Sequence, residues 1–312
     1  MGIIRIILKT NSNYKKIMKI KIVLFLLITI ITTSFVNAQQ PMLEWAKSCN
    51  GLLNERVNGI AVDGSGNVYT TGSFEGTVDF DSGVGIANLT AVGLGDRDAF
   101  VCKFDVNGNF VWVKQFGENP GWEEGFAITV DASGNVYTTG FFKSTVDFDP
   151  GSGVFNLTET GFGSGDMFIS KLDTNGNFIF AKQIGGNGSE IPRAITLDVA
   201  GNIYTTGEID SAMLGTTILT TDFDPGSAVF PLSSTTGLES DVFISKLDAS
   251  GNFVWAKNMG GNYSDNANSL ALDASNNVYI TGTFRNVADF DPSTSVANLT
   301  AIGNSYNDII NL

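Results

Sequence analysis

The sequence predicts an all-β fold in which four similar antiparallel units, each of four strands, follow one another along the chain. Three observations predict it. Three segments recur in a fixed order over the 312 residues, and within them apolar residues alternate with polar ones. The 36 glycines and 7 prolines favour many tight turns over long helices. Hydrophobic residues make up 43% of the chain, which is enough apolar material for a large core.

Residues 1–38 have the pattern of a secretory signal peptide, with six basic residues, no acidic ones and small residues before Ala38. The apolar run 22–31 is shorter than the roughly 20 residues that a spanning helix needs. Met18 is an alternative start, because the sequence after it makes a complete signal by itself. We therefore expect a mature chain of residues 39–312 that is secreted or held at the outer cell surface, without insertion into a membrane.

Composition excludes several classes of function. The chain has no histidine, which removes every mechanism and every metal site that needs an imidazole. Its net charge is −14, and removal of the expected signal peptide takes this to −20. A surface of that charge repels nucleic acid, so no nucleic-acid partner is expected.

The first recurring segment has the form D-x-x-G-N-V-Y-x-T-G with small variations, and it predicts two strands joined by a tight turn. It occurs at residues 62–72, 130–140, 197–207 and 272–282. A second segment, of the type D-x-F-I-S-K-L-D-x-x-G-N-F-x-W-A-K, predicts the next two strands. It occurs at residues 98–114, 166–182 and 241–257. Between them lies an acidic loop with the core D-F-D, always 17 residues before the Asp that opens the third strand.

Four antiparallel strands per unit in tandem predict the blades of a β-propeller. The units are expected at about residues 51–117, 118–185, 186–260 and 261–312. The segment 42–48 resembles a fourth strand and is expected to complete the last unit, which ends inside its third strand. The repeats alone leave open a closed four-bladed ring and a fragment of a larger propeller.

The repeated D-x-x-G-N-V-Y-x-T-G element resembles the bacterial seven-bladed β-propeller repeat, abbreviated SBBP. The F-D-P-G loop and the I-S-K-L-D-x-x-G-N-F-x-W-A-K element look like its usual companions, and the resemblance covers residues 42–312. It implies a secreted or cell-surface bacterial protein, of a kind found often in Bacteroidota. It implies no particular activity, and the four units present here depart from the seven in the family's name.

The acidic loops carry paired carboxylates that are candidate metal ligands. Alternate residues of an extended segment point the same way, so the two Asp side chains of each loop share a side. Together with loop carbonyls they would suit Ca²⁺, the cofactor that we consider for this chain. The other interpretation is a structural loop in which the intervening Phe anchors the turn and the Asp side chains cap it. The candidate residues are Asp79, Asp81, Asp147, Asp149, Asp222, Asp224, Asp289 and Asp291.

A second set of acids lies eight residues before each turn Asp. These residues are Glu55, Glu123, Glu190 and Asp265. They precede the innermost strand, so they are expected on the long-loop face near the rim of a central channel. There they would either hold a cation or cap backbone amides. Trp122 and Tyr263 lie in unit connections on the same face without repeated equivalents, and they are candidate ligand contacts.

These features favour a non-catalytic binding or scaffold module, with a protein or glycan at the cell surface as partner. No catalytic residue and no cofactor-binding motif is assigned, because the acids recur in every unit whereas catalysis needs different residues in different roles. The alternative is a carbohydrate-active propeller, either glycan-binding or a glycosidase with Glu123, Glu190 and Asp265 as candidates. A purely structural repeat within a larger surface adhesin also stays open.

Overall fold

A computed structural model describes residues 43–91, 93, 95–117, 121–161, 165–210, 213–214, 217–236, 239–302 and 308–312. The expected signal peptide, residues 1–38, lies outside the described residues. Residues 45–312 form one compact unit. The described residues contain β-strands and turns and no α-helix, which confirms the predicted all-β class.

In units 1 to 3 four main strands pair antiparallel in sequence order, and unit 4 contributes three strands. The acidic-loop hairpin of the following unit extends the sheets of units 2 and 3 to six strands. Unit 1 consists of Glu55–Val62, Val68–Phe74, Asp98–Phe104 and Phe110–Phe116. Unit 2 consists of Glu124–Val130, Val136–Phe142, Asp166–Leu172 and Phe178–Gly186. Unit 3 consists of Ser189–Leu197, Ile203–Asp210, Ser240–Leu247 and Phe253–Gly261. Unit 4 consists of Asn266–Leu272, Val278–Phe284 and Asp308–Asn311. The four predicted strand types are confirmed in place and order in units 1 to 3, and the first three of them in unit 4.

The tight turns are held by the Asp that opens each one. In unit 1, Asp63 Oδ1 accepts the backbone N–H groups of Ser65 and Asn67, both at 2.9 Å. Gly66 has a φ of +83°, a conformation that glycine adopts without steric cost. The same two bonds recur at Asp131, Asp198 and Asp273. Local sequence thus determines these turns, as the repeat predicted.

The segment predicted as a long acidic loop contains a short hairpin in addition. In unit 2, Thr145–Asp147 pairs with Asn156–Thr158, and the D-F-D-P-G sequence forms its tip. The remaining short strands are Asn50–Gly51, Thr77–Asp79, Asn88–Thr90, Met213–Leu214, Thr217–Ile218, Thr221–Asp222, Pro231–Leu232, Val287–Asp289 and Asn298–Thr300. The β-branched residues of T-V-D and N-L-T are the sequence signal for this hairpin.

The core lies between neighbouring units. The first strands of successive units contact each other, from unit 1 to unit 4, so the first strand is the innermost one of each unit. Between units 1 and 2, Tyr69 and Phe116 of unit 1 share a buried cluster with Ile128, Phe148 and Leu172 of unit 2. Burial of one such large side chain contributes roughly 2 kcal/mol. Neighbouring units therefore stabilise each other through the side chains that they bury together.

The structure does not form the expected strand 42–48. Residues 43–49 have no strand conformation, and Asp308–Asn311 pairs with Val278–Phe284 within the described residues. The segment instead packs against unit 1, where Trp45 Nε1 donates to the carbonyl of Val106 at 3.3 Å. The fourth strand of the last unit is thus not supplied in this way, and a closed ring is not observed.

Candidate functional site

The paired carboxylates of the acidic loops are engaged by the backbone of the loop itself. In unit 1, Asp79 Oδ1 accepts the N–H groups of Asp81 at 3.0 Å and Ala87 at 2.9 Å. Asp81 Oδ1 accepts the N–H of Gly83 at 2.7 Å. Equivalent bonds recur at Asp147, Asp149, Asp222, Asp224, Asp289 and Asp291. Each pair therefore closes the turn at the tip of its hairpin.

The Phe between the two Asp residues anchors the loop, as predicted. Phe148 is buried, and its ring centroid lies 5.3 Å from that of Phe142 and 4.8 Å from that of Phe168. Phe80, Phe223 and Phe290 are buried in the same way. Within the described residues, no three acidic or cysteine side chains converge as a metal site. Calcium at these loops therefore stays a prediction, while the hydrogen bonds and the Phe anchor support the structural interpretation.

The second set of acids does not line a channel rim. Glu123, Glu190 and Asp265 are 0% exposed and lie buried at the junctions between units. Asp265 accepts the N–H of Gly261 at 2.7 Å and that of Arg285 at 3.1 Å. Asp265 therefore links the end of unit 3 to the residue that follows the second strand of unit 4. This is a form of the backbone-capping role that the sequence predicted as one alternative.

The equivalent acids differ in their surroundings. Glu190 Oε1 accepts the hydroxyl of Thr221, which belongs to the acidic-loop hairpin of the same unit. Glu55, in unit 1, is exposed. It belongs to the first unit of the array, and among the residues that the structure describes no other unit packs over it. Acids at equivalent positions of the repeat therefore differ in burial and in hydrogen-bond partners.

Burial strongly changes the protonation of these acids. Loss of solvent, together with the nearby charge of Asp98, raises the pKa of Glu123 to about 9. Burial likewise raises the pKa of Glu190 to about 8 and that of Asp265 to about 7, with Asp166 and Asp241 as the respective acidic neighbours. Glu123 and Glu190 are therefore mainly protonated and neutral at pH 7. Neutral carboxyl groups can lie side by side without the repulsion of two charges.

Each of these acids lies near the Asp that opens the third strand of the preceding unit. Asp166 Oδ2 accepts the N–H and the hydroxyl of Thr160, both at 2.8 Å, and also the side-chain amide of Gln183. Burial raises the pKa of the equivalent Asp241 to about 6. These Asp residues were not among the predicted site residues, although their strict 17-residue spacing from the acidic loop is a sequence signal for a shared role.

A glycine makes room for each of these buried Asp side chains. A Cβ atom on Gly185 would lie 2.1 Å from Cγ of Asp166, and one on Gly260 would lie 2.4 Å from Oδ1 of Asp241. Contacts this short do not occur for real Cβ atoms. The glycines at the end of the fourth strand are therefore required by the close approach of the carboxyl group.

Trp122 and Tyr263, the candidate ligand contacts, are both partly exposed on the long-loop face. An arginine side chain lies over the ring of each. The guanidinium of Arg97 lies 5.1 Å from the ring centroid of Trp122, and that of Arg285 lies 5.9 Å from Tyr263. Arg97 also donates to Glu75 at 2.9 Å, which fixes the guanidinium over the indole. Cation–π contacts of this kind hold the exposed rings in a defined orientation.

Trp122 forms one wall of a groove of about 220 Å³ at the junction of units 2 and 3. The groove is lined by Trp122, Glu124, Phe126, Phe141, Lys143, Ser189 and Ile191. Lys143 Nζ lies 5.8 Å from the ring of Phe141, and the guanidinium of Arg193 lies 5.7 Å from the ring of Phe126. Three aromatic rings thus meet in one place with Lys143, while the two nearby arginines are paired with glutamates, Arg97 with Glu75 and Arg193 with Glu208. Trp122 was predicted from the sequence, whereas Phe126, Phe141 and Lys143 were not, because they come from different strands.

The aromatic residues of the fourth strands pack within their own unit, as Trp255 does against Tyr204, and against the next unit, as Trp112 does. Trp112 Nε1 donates to the carbonyl of Thr174 in the next unit at 3.1 Å. The ring of Trp255 lies 6.2 Å from that of Tyr204. Cys49 and Cys102 are free thiols, and Cys102 is buried. None of these residues belongs to the groove.

Comparison with known proteins supports the predicted repeat. Residues 56–73 and 179–213 match the model of the SBBP β-propeller repeat, which confirms the resemblance found in the sequence. An uncharacterized WD repeat-containing protein of Acanthamoeba polyphaga mimivirus is 24% identical over 191 residues. That alignment covers 55% of this chain and 13% of the viral protein, so the chain spans a small part of that relative.

A protein of unknown function from Bacteroides caccae, known from a crystal structure, is 13% identical in sequence to this chain, with a TM-score of 0.23. The match covers 65% of this chain and 81% of the Bacteroides chain.

Among the described residues, no helix has the length and apolar character needed to cross a membrane.

Proposed function

We propose that this protein is an extracellular, non-catalytic binding and scaffold module whose ligand surface is the long-loop face. The repeated units supply the scaffold, since β-propeller repeats match this chain and the turns and anchors recur from unit to unit. The signal-peptide pattern of residues 1–38 supports export. Mass spectrometry of the exported protein tests this part, with residue 39 as the expected first residue.

The observation that carries the binding proposal is the groove beside Trp122. It breaks the repeat, it exposes an oriented indole ring, and Lys143 lies in its wall, whereas the charge of Arg97 is paired with Glu75. A ligand that fits has a flat or apolar group for the ring and an anionic group for Lys143. Such ligands are found among cell-surface proteins and acidic glycans.

The binding test uses arrays of acidic glycans and of acidic peptides, followed by titration of the strongest ligand. Trp122→Ala is expected to lose at least tenfold in affinity, because the stacking surface is removed. Lys143→Ala should weaken binding more at low salt than at high salt. Trp45→Ala is the matched control, since Trp45 lies away from the groove. Equal affinity of Trp122→Ala and the parent protein would contradict the assignment of the groove.

The position of the acids gives no support to a glycosidase. Glu123, Glu190 and Asp265 are 0% exposed, so a glycan in solvent cannot reach their carboxyl groups. Asp265 already accepts two backbone N–H groups. We therefore expect ligand binding without turnover. Release of reducing sugar from a bound glycan, abolished in Glu190→Gln with the fold intact, would overturn this part of the proposal.

A further inference from the structure

A β-bulge recurs at the same place in the first strand of every unit. There the pairing with the second strand skips one residue of the first strand. A bulge bends its strand and turns the side chain of the extra residue out of the regular alternation. The bulged residues are Asn58, Phe126, Arg193 and Asn268. Because the first strand is the innermost one of each unit, these residues occupy equivalent places in the innermost layer.

The bulged residue differs between units, whereas the sequence around it repeats. In each unit an acid stands three residues before it, a small residue follows it directly, and an aliphatic residue comes next. The bulged residue itself is an amide, a phenyl ring, a guanidinium and again an amide. The backbone makes the same demand in every unit, so it does not select these different side chains. Bulges next to binding sites serve to aim a side chain at a ligand, and this position fits that use.

Contacts join three of the bulges into a row that crosses two junctions. Asn58 Nδ2 donates to Glu124 Oε1 at 2.8 Å and to the carbonyl of Gly125 at 2.9 Å. This bond holds the strand just before Phe126, whose ring centroid lies 5.7 Å from the guanidinium of Arg193. Glu124 and Phe126 also line the groove beside Trp122. The row therefore continues that groove onto unit 3.

The end of the row in unit 3 offers donors and acceptors without net charge. Arg193 forms an ion pair with Glu208, and the Arg193 side chain is 39% exposed. The guanidinium keeps further N–H donors beside the carboxylate acceptor. A hydroxyl group both donates and accepts a hydrogen bond, so it matches this pair. The neighbouring ring of Phe126 adds a flat apolar surface. A flat surface beside a hydroxyl-binding pair suits a sugar ring.

We propose that Phe126, Arg193 and Glu208 form a saccharide subsite, so that the ligand of the groove is an acidic glycan of two or more sugar residues. One sugar lies against Trp122 with its anionic group at Lys143. The next lies against Phe126, and its hydroxyl groups bond to the Arg193–Glu208 pair. An acidic peptide fits less well, because it lacks such hydroxyl groups and the charges of Glu124 and Glu208 repel its carboxylates. The inference rests on the proposed function, since the subsite continues the same groove.

The test is calorimetric titration of the full chain, purified as the cell processes it. The probes are the monomers and linear tetramers of galacturonate and of galactose 6-sulfate, together with the peptide tetraglutamate. All of them carry negative charge on every residue, so charge alone does not distinguish them. We expect one of the tetrasaccharides to bind at least tenfold more tightly than its monomer and than tetraglutamate, because only a chain reaches both subsites.

The double variant Arg193→Met/Glu208→Met removes the hydroxyl-binding pair without changing the net charge. Replacement of an ion pair by apolar residues of similar size is often neutral for stability. The affinity for the tetrasaccharide should fall at least tenfold, and by the same factor at about 50 mM and about 500 mM salt, because no net charge is lost. Binding of the monomer should stay unchanged. Lys143→Ala, in contrast, should weaken both ligands and should do so more at low salt.

Phe126→Leu removes the ring and should likewise weaken only the tetrasaccharide. Phe180→Leu is the matched control. Phe180 is a partly buried ring that also lies beside lysine side chains, but it belongs to the fourth strand and lies outside the groove. It should leave the affinity for all probes unchanged. Thermal unfolding of each variant checks that the fold is kept.

The outcomes separate this inference from the proposed function. If Trp122→Ala loses binding while Phe126→Leu and the double variant bind the tetrasaccharides like the parent protein, the groove stands and the saccharide subsite is wrong. Tighter binding of tetraglutamate than of either tetrasaccharide has the same meaning and identifies a peptide ligand. Absence of binding of both tetrasaccharides at about 10 mM also overturns the inference. If Trp122→Ala binds the tetrasaccharides like the parent protein, both the groove and the subsite are wrong.

Discussion

The buried carboxyl groups should make this protein less stable as the pH rises through neutrality. Burial raises the pKa of Glu123 to about 9, whereas a carboxyl in the unfolded chain has a pKa near 4.5. Between these values the folded state keeps a proton that the unfolded state has lost. The free energy of unfolding therefore falls with pH, by about 1.4 kcal/mol per pH unit for each such group.

The expected size follows from this slope. From pH 5.5 to 7.5, Glu123 alone lowers the free energy of unfolding by about 2.7 kcal/mol. Burial raises the pKa of Glu190 to about 8, so this group adds a second contribution of similar size over most of the range. The chain contains no histidine, so no side chain with an ordinary pKa in this range obscures the effect.

The assay is urea unfolding followed by tryptophan fluorescence at pH 5.5, 6.5 and 7.5. Glu123→Gln replaces the carboxyl group by a neutral amide of the same shape, so it should remove about 1.4 kcal/mol per pH unit from the slope. Glu55→Gln is the matched control, because Glu55 is the exposed equivalent in unit 1, and it should not alter the slope. A parent protein whose stability is constant or increases with pH would refute the reasoning. An unaltered slope in Glu123→Gln would do the same.

Three further outcomes follow from the geometry of the units. Gly185→Ala should destabilise the protein by about 1–3 kcal/mol, since its Cβ would overlap the carboxyl group of Asp166, whereas Gly64→Ala has open space and should be near neutral in the same urea assay. Asp131→Ala removes the acceptor of two backbone N–H groups and should cost about 1–2 kcal/mol, with an unchanged urea dependence as the check that the fold is kept. Because the acidic-loop carboxylates already accept backbone N–H groups, millimolar Ca²⁺ should leave the Tm unchanged. A shift of about 5–10 °C, absent with Mg²⁺ and lost in Asp147→Asn, would instead establish the calcium site.

Much of the unit could be predicted from the sequence because its determinants are local. The turn at Asp63 depends on bonds to residues two and four positions away, and the tip of the acidic loop depends on bonds within eight residues. The alternation within each strand assigns one face to the core. Such short-range patterns repeat faithfully whenever the sequence repeats, so the sequence predicted the four main strand types, the tight turns and the Phe anchors. It did not predict the short hairpin of the acidic loop.

The junctions between units depend on contacts between residues far apart in the chain, and only the tertiary structure decided them. Glu55 and Glu123 occupy equivalent places in the repeat, yet one is exposed and the other is buried near Asp98 with a raised pKa. The groove at Trp122 likewise combines side chains from two units. By itself the sequence determined what each unit is, because hydrogen bonds between near neighbours form the unit. The tertiary structure determined the burial and the charged neighbours of each residue, because both depend on which other unit packs against it.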